Sequence, residues 1–150
     1  MLERTSAYGS LLDDIVAKNR RIATLPEPAK PFLLAALASH WSGPIVIVCS
    51  HPEDSRHLVD LLRAYAGEEA PVYHFAESEI LPYERLSVEA GTVHQRMTAL
   101  GALHGFTEQT GGRSPIIVAS ISGIMQKTIS PELIRSTAHT IKPDHKLSIG

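Results

Sequence analysis

The chain has 150 residues, with 14 basic and 16 acidic side chains and a formal net charge of -2. That length is one ordinary domain with room for a core, and 43% hydrophobic with 20% charged residues excludes a disordered chain. The missing basic excess argues against holding a nucleic-acid polyanion by charge alone, and a single cysteine, Cys49, excludes an intramolecular disulfide.

Residues 8–20 place Leu11, Leu12, Ile15 and Val16 at helical spacing among Asp13, Asp14 and Lys18, which predicts an amphipathic helix. "RIATL", residues 21–25, reads as a short strand. Residues 31–41 are apolar nearly all round, as in a buried helix. "PIVIVC", residues 44–49, is a continuous β-branched run of the kind buried on both faces of a parallel sheet. Ser50-His51-Pro52-Glu53 has the form of a capping box, opening a helix to about Tyr65 whose apolar positions are Leu58, Leu61, Leu62 and Tyr65. "PVYHF", residues 71–75, is a further strand. The acidic linker 76–91 leads to a helix over 92–103. "PIIVAS", residues 115–120, is a second buried-type strand. Helical turns follow at 122–127 and from Pro131, with Ser130 as cap, and "AHTIK", residues 138–142, reads as a last strand.

Strands alternating with helices at these lengths predict βαβ units and a mostly parallel sheet flanked by helices, in one domain over 1–150. No basic-then-apolar leader opens the chain, and "FLLAALA" and "PIVIVC" are too short to span a bilayer. A cytoplasmic protein without a membrane partner is the expectation.

"TLPEPAKP", residues 24–31, falls where a phosphate-binding loop would lie between a strand and a helix. Of the G-x-x-x-x-G-K-[ST] pattern only Lys30 is present. Such a loop works by pointing successive backbone N–H groups at phosphate oxygens. Pro26, Pro28 and Pro31 have no N–H, Pro31 stands where a Mg²⁺-binding hydroxyl belongs, and Glu27 adds negative charge. The loop is therefore expected not to bind nucleotide by the usual mechanism, and Lys30 to be solvated. A nucleotide-binding domain with an unconventional loop is the competing reading.

"SEILPYERLSVEAGTVHQRMTALGAL", residues 78–103, resembles the N-terminal, UvrB-like region of the bacterial transcription-repair coupling factor (Mfd) family. The residues that carry the likeness are Leu81, Pro82, Tyr83, Glu84, Ser87 and the Arg96-Met97 pair with Leu100. "PIIVASISGIMQKTISPELI" adds the family's strand and its L-[LM]-Q-[KR] segment, and "VASISGI" is similar to the matching stretch of UvrB. The resemblance implies a RecA-like α/β fold of the P-loop NTPase type with a degenerate nucleotide loop at Lys30. It implies that residues 76–91 are too short for the DNA-inserting hairpin of UvrB. It further implies a non-catalytic scaffold from a longer multidomain protein, ending before the domain that recruits UvrA. The parent would be a bacterial ATP-dependent DNA translocase that displaces stalled RNA polymerase. ATP and Mg²⁺ would serve its motor domains and no cofactor this region, and its partners would be UvrA, RNA polymerase, double-stranded DNA and the other domains of the chain.

The remaining candidates are weaker. The eight histidines include no i, i+4 pair, and Cys49 has no partner cysteine, so no metal site is expected. Glu77, Glu79, Glu84 and Glu89 read as a solvated acidic face, with Tyr83 anchoring the linker to the sheet and Arg96 within reach of its carboxylates. Arg56 and Arg63, seven apart on one helix face, suit either phosphate contact or plain solvent exposure. A remnant of a single-stranded-DNA-binding helicase domain stays open, with the net charge against it.

Overall fold

A computed structural model describes residues 6–78, 89–108 and 114–137. In chain order the elements are α1 (Ser6–Val16), α2 (Ala29–His40), β1 (Ile45–Cys49), α3 (Pro52–Ala66), β2 (Val72–Phe75), α4 (Ala90–Glu108), β3 (Ile116–Ser120), α5 (Ile121–Met125) and α6 (Pro131–Thr137). The expected strand at 138–142 lies outside the described residues.

The fold is mixed α/β, with a small parallel sheet of three strands among the described residues, in the order β1-β3-β2. Ile45 to Cys49 run alongside Ile116 to Ser120, and Val72 to Phe75 alongside Ile116 to Ala119. The chain therefore skips a place between β1 and β2 and returns to fill it. Right-handed crossovers made in opposite directions put their helices on opposite faces. On one face Val59 and Leu62 of α3 and Ala35 of α2 pack on Val72, Ile116 and Val118. On the other face Ala99 of α4 packs on Phe75, Ile117 and Ala119.

Central β3 is buried along its whole length, as expected of an apolar β-branched run. The same expectation fails for β1, where burial alternates. Val46 and Val48 are 56% and 52% exposed, because β1 is an edge strand and α4 sits over β2 and β3. At the opposite edge Arg63 Nη2 donates to the outward carbonyl of Val72 at 3.0 Å, which blocks one position for pairing with a further strand.

Residues 21–25 form no strand. Ile22 is 87% exposed, and Arg21 is drawn back into an ion pair with Asp14 on α1. Local β-propensity gains nothing without a strand edge to pair with. The capping box also fails to form. His51 is the N-cap of α3, without a side-chain cap, and Pro52 takes the first helical position. Glu53 thereby sits one place too early to reach back to a cap, and with Asp54 it acts on the helix dipole instead. At the other end Gly67 caps α3 with φ +93°, a region costly for any other residue. No helix among the described residues is long and apolar enough to cross a membrane.

Candidate functional site

In open α/β sheets ligands sit beyond the carboxyl ends of the strands. Two places there bear on function. The first is a cleft of about 800 Å³ at the end of β1, lined by Lys30, Cys49, Ser50, Asp54, His57 and Glu27 among others. Its cationic group, Lys30, is paired with Glu27 three residues earlier.

The start of α2 shows where its backbone donors go. Ala29 N–H donates to Pro26 C=O at 2.9 Å, and Lys30 N–H to Glu27 C=O at 3.2 Å. Pro28 is the N-cap and offers neither an N–H nor a side-chain cap. Pro31 is buried in the first turn. The helix thus presents few donors to an anion, and an acidic side chain already neutralises its lysine. Cys49 is disfavoured as a thiolate. Burial raises its thiol pKa above the ordinary value, and the negative charge of Asp54 adds to the effect, so the thiol stays protonated.

The second place is the end of β2 and β3, and it is filled by protein. Arg96 on α4 reaches under the sheet end and donates through Nη1 to Ala76 C=O at 2.7 Å, to Gly123 C=O at 3.2 Å and to Gln126 Oε1 at 3.4 Å. Its guanidinium lies 4.0 Å from the centroid of the Phe75 ring. Burial lowers its pKa from the ordinary value, although an arginine keeps its proton there. Gln126 in turn accepts from Ser78 N–H and donates to Ser78 C=O, both at 2.8 Å, as a neighbouring strand would. Ser120 caps α5 by accepting from Gly123 N–H at 3.0 Å, and it donates to the Glu77 carboxylate at 2.9 Å. Ser122 donates to the same carboxylate. A Cβ on Gly123 would come within 3.2 Å of both Phe75 O and Ser120 Oγ, so a side chain here would press on the end of β2 and on the α5 cap.

Of the residues singled out from sequence, Arg96 is therefore part of a clamp joining α4, the end of β2 and α5. Leu81, Pro82, Tyr83, Glu84 and Ser87 lie outside the described residues, as does Glu79, one of the acidic partners considered for Arg96. Glu77, read from sequence as part of a solvated acidic face, instead accepts from Ser120 and Ser122, and Ser120 and Gln126 were not singled out as site residues. Gln126 belongs to the "IMQK" segment, which was the available signal for it. Among the described residues no cluster of three or more His, Cys, Asp or Glu is arranged to hold a metal ion.

Two curated proteins, both named transcription-repair-coupling factor, are similar to this chain. The one from Mycobacterium bovis and the one from Mycobacterium tuberculosis are each 32% identical to it over 111 residues, which is 73% of this chain. The match covers 9% of either relative's length. No protein-family model and no solved structure matches.

Proposed function

We propose, for a chain thus related to transcription-repair-coupling factor, the role of a non-catalytic, UvrB-like scaffold with a RecA-like sheet and a degenerate nucleotide loop. The observation that carries the non-catalytic reading is the start of α2. Pairing of Lys30 with Glu27, proline at 28 and 31, and amides spent within the turn leave little to hold a triphosphate. The test is a titration of the chain with labelled ATP and Mg²⁺. No saturable binding is expected below millimolar nucleotide, and Lys30→Ala should change nothing. Micromolar binding that disappears in Lys30→Ala would overturn this reading in favour of an unconventional nucleotide site.

In this proposal the longer protein is a bacterial, cytoplasmic, ATP-dependent DNA translocase that acts on stalled RNA polymerase and recruits UvrA. Its ATP and Mg²⁺ belong to other domains. This region holds its neighbours in place through its surfaces, and the Arg96 clamp keeps the end of the sheet rigid for that purpose. The chain alone is then expected not to retain UvrA in a pull-down. Retention would move the recruiting surface into these 150 residues.

A further inference from the structure

The two edges of the sheet differ in what their outward main-chain groups meet. Ile116 N–H donates to Pro71 C=O at 2.9 Å, so Pro71 turns toward β3 and Val72 turns outward at the β2 edge. Both outward groups of Val72 are taken. Its N–H donates to Ala70 C=O at 2.7 Å, and its C=O accepts from Arg63 Nη2. At β1 the reverse holds. Ile45 N–H donates to Pro115 C=O at 3.0 Å, and the ladder with β3 continues to Cys49. Ile45, Ile47 and Cys49 therefore turn their main-chain groups toward β3, and Val46 and Val48 turn theirs toward the edge. Among the described residues no strand pairs with β1 on that side.

Nothing within β1 blocks that edge. "IVIVC" holds no proline and no charge, the residues by which edge strands commonly avoid pairing. Val46 and Val48 are also half exposed, so open main-chain groups and open apolar side chains belong to the same two residues. Ile47 and Val48 line the cleft of about 800 Å³ at the end of the strand, which leaves room beside it.

We propose that the open edge of β1 is a contact surface between two copies of this chain, paired antiparallel about a two-fold axis at Ile47. In that register Val46 of each copy lies opposite Val48 of the other, and the two exchange N–H and C=O. Each edge lacks an extended apolar strand, and the same edge of the second copy is one.

Charge favours the antiparallel sense. Glu27, Lys30, Asp54 and His57 line the cleft at the carboxyl end of β1, whereas Trp41, Ser42, Gly43 and Pro44 before the strand are uncharged. An antiparallel pair sets the charged end of one strand beside the uncharged end of the other. A parallel pair would bring the two Asp54 carboxylates together. The net charge of -2 on each copy adds little repulsion. A five-residue edge buries far less than the roughly 800 Å² per partner of a stable complex, so the dimer is weak, with a dissociation constant on the order of 100 µM. The pairing covers the sides of the valines and leaves their faces on the α4 side in water.

Sedimentation of the full chain from about 10 µM to about 1 mM should show monomer passing into dimer. Amide exchange at Val46 and Val48, followed by NMR, should slow about fivefold at the top of that range, where about four fifths of the chain is paired. These N–H groups point away from β3, so a strand at the edge is what slows them. Val46→Lys and Val48→Lys alter exposed side chains and should each raise the dissociation constant at least about tenfold, because an ammonium then faces the opposed valine. Val46→Thr, which suits a strand equally well, should leave it within about threefold. Dilution gives the same readout without any variant. A monomer throughout the range would overturn the proposal. So would a dimer that survives both lysines unchanged, which would place the contact on another surface. Exchange already slow at the lowest concentration would overturn it too, since a segment of the same chain, such as residues 138–142, would then hold the edge.

Discussion

Arg96→Met is expected to destabilise the chain by about 2–4 kcal/mol, read as a lower urea midpoint at unchanged slope. Each charge-assisted hydrogen bond contributes roughly 1.5–3 kcal/mol and the contact with the Phe75 ring about 0.5–2, partly offset by the cost of desolvating the guanidinium. Methionine fills much of the same space, so the loss reports on the polar contacts more than on a cavity. It leaves Ala76 C=O and Gly123 C=O without the donor that ties β2 to α5. Arg96→Lys should fall between the two, because both carbonyls are bonded by the single nitrogen Nη1 and an ammonium keeps the charge and the donors but not the guanidinium plane over the Phe75 ring. A full-size effect from Lys, or none from Met, would mean that the clamp does not hold the sheet end together.

This clamp also marks how far a single sequence could be read. The β-branched runs, the helical spacings and the parallel alternation are local patterns, and they located β1, β2, β3 and most of the helices. The role of Arg96 is not local. Two of its described partners are main-chain carbonyls 20 and 27 residues away, and a carbonyl has no signature in a sequence. The strand expected at 21–25 was misread for the same reason, since five residues of suitable propensity need a free sheet edge beside them. The capping box was misread by one position, because Pro52 suits the first helical place better than a site inside the turn. At the start of α2, proline is legible by its missing N–H, but the pairing of Lys30 with Glu27 became apparent only from the side chains.

Val118→Ala is expected to cost about 2–3 kcal/mol, and Val48→Ala less than about 1 kcal/mol, although both valines lie in runs that read alike. "PIVIVC" and "PIIVAS" each begin with proline and continue with β-branched residues. Strand order separates them. Val118 is 0% exposed in the central strand and packs with the α3 side of the core, so removing two methyl groups leaves a cavity. Val48 pairs with Ala119 across the ladder, on the face that α4 covers only over the other two strands, and water already reaches it. Chemical denaturation of the two variants side by side measures the difference. Equal and large losses would show that Val48 is covered in solution, and the natural cover would then be chain that lies over β1 on the α4 side. A small loss at Val118 would instead mean that β3 is not the centre of the sheet. Under the proposed scaffold role the asymmetry would matter, because a half-open edge strand is surface on which another domain could pack without disturbing the core that Val118 holds.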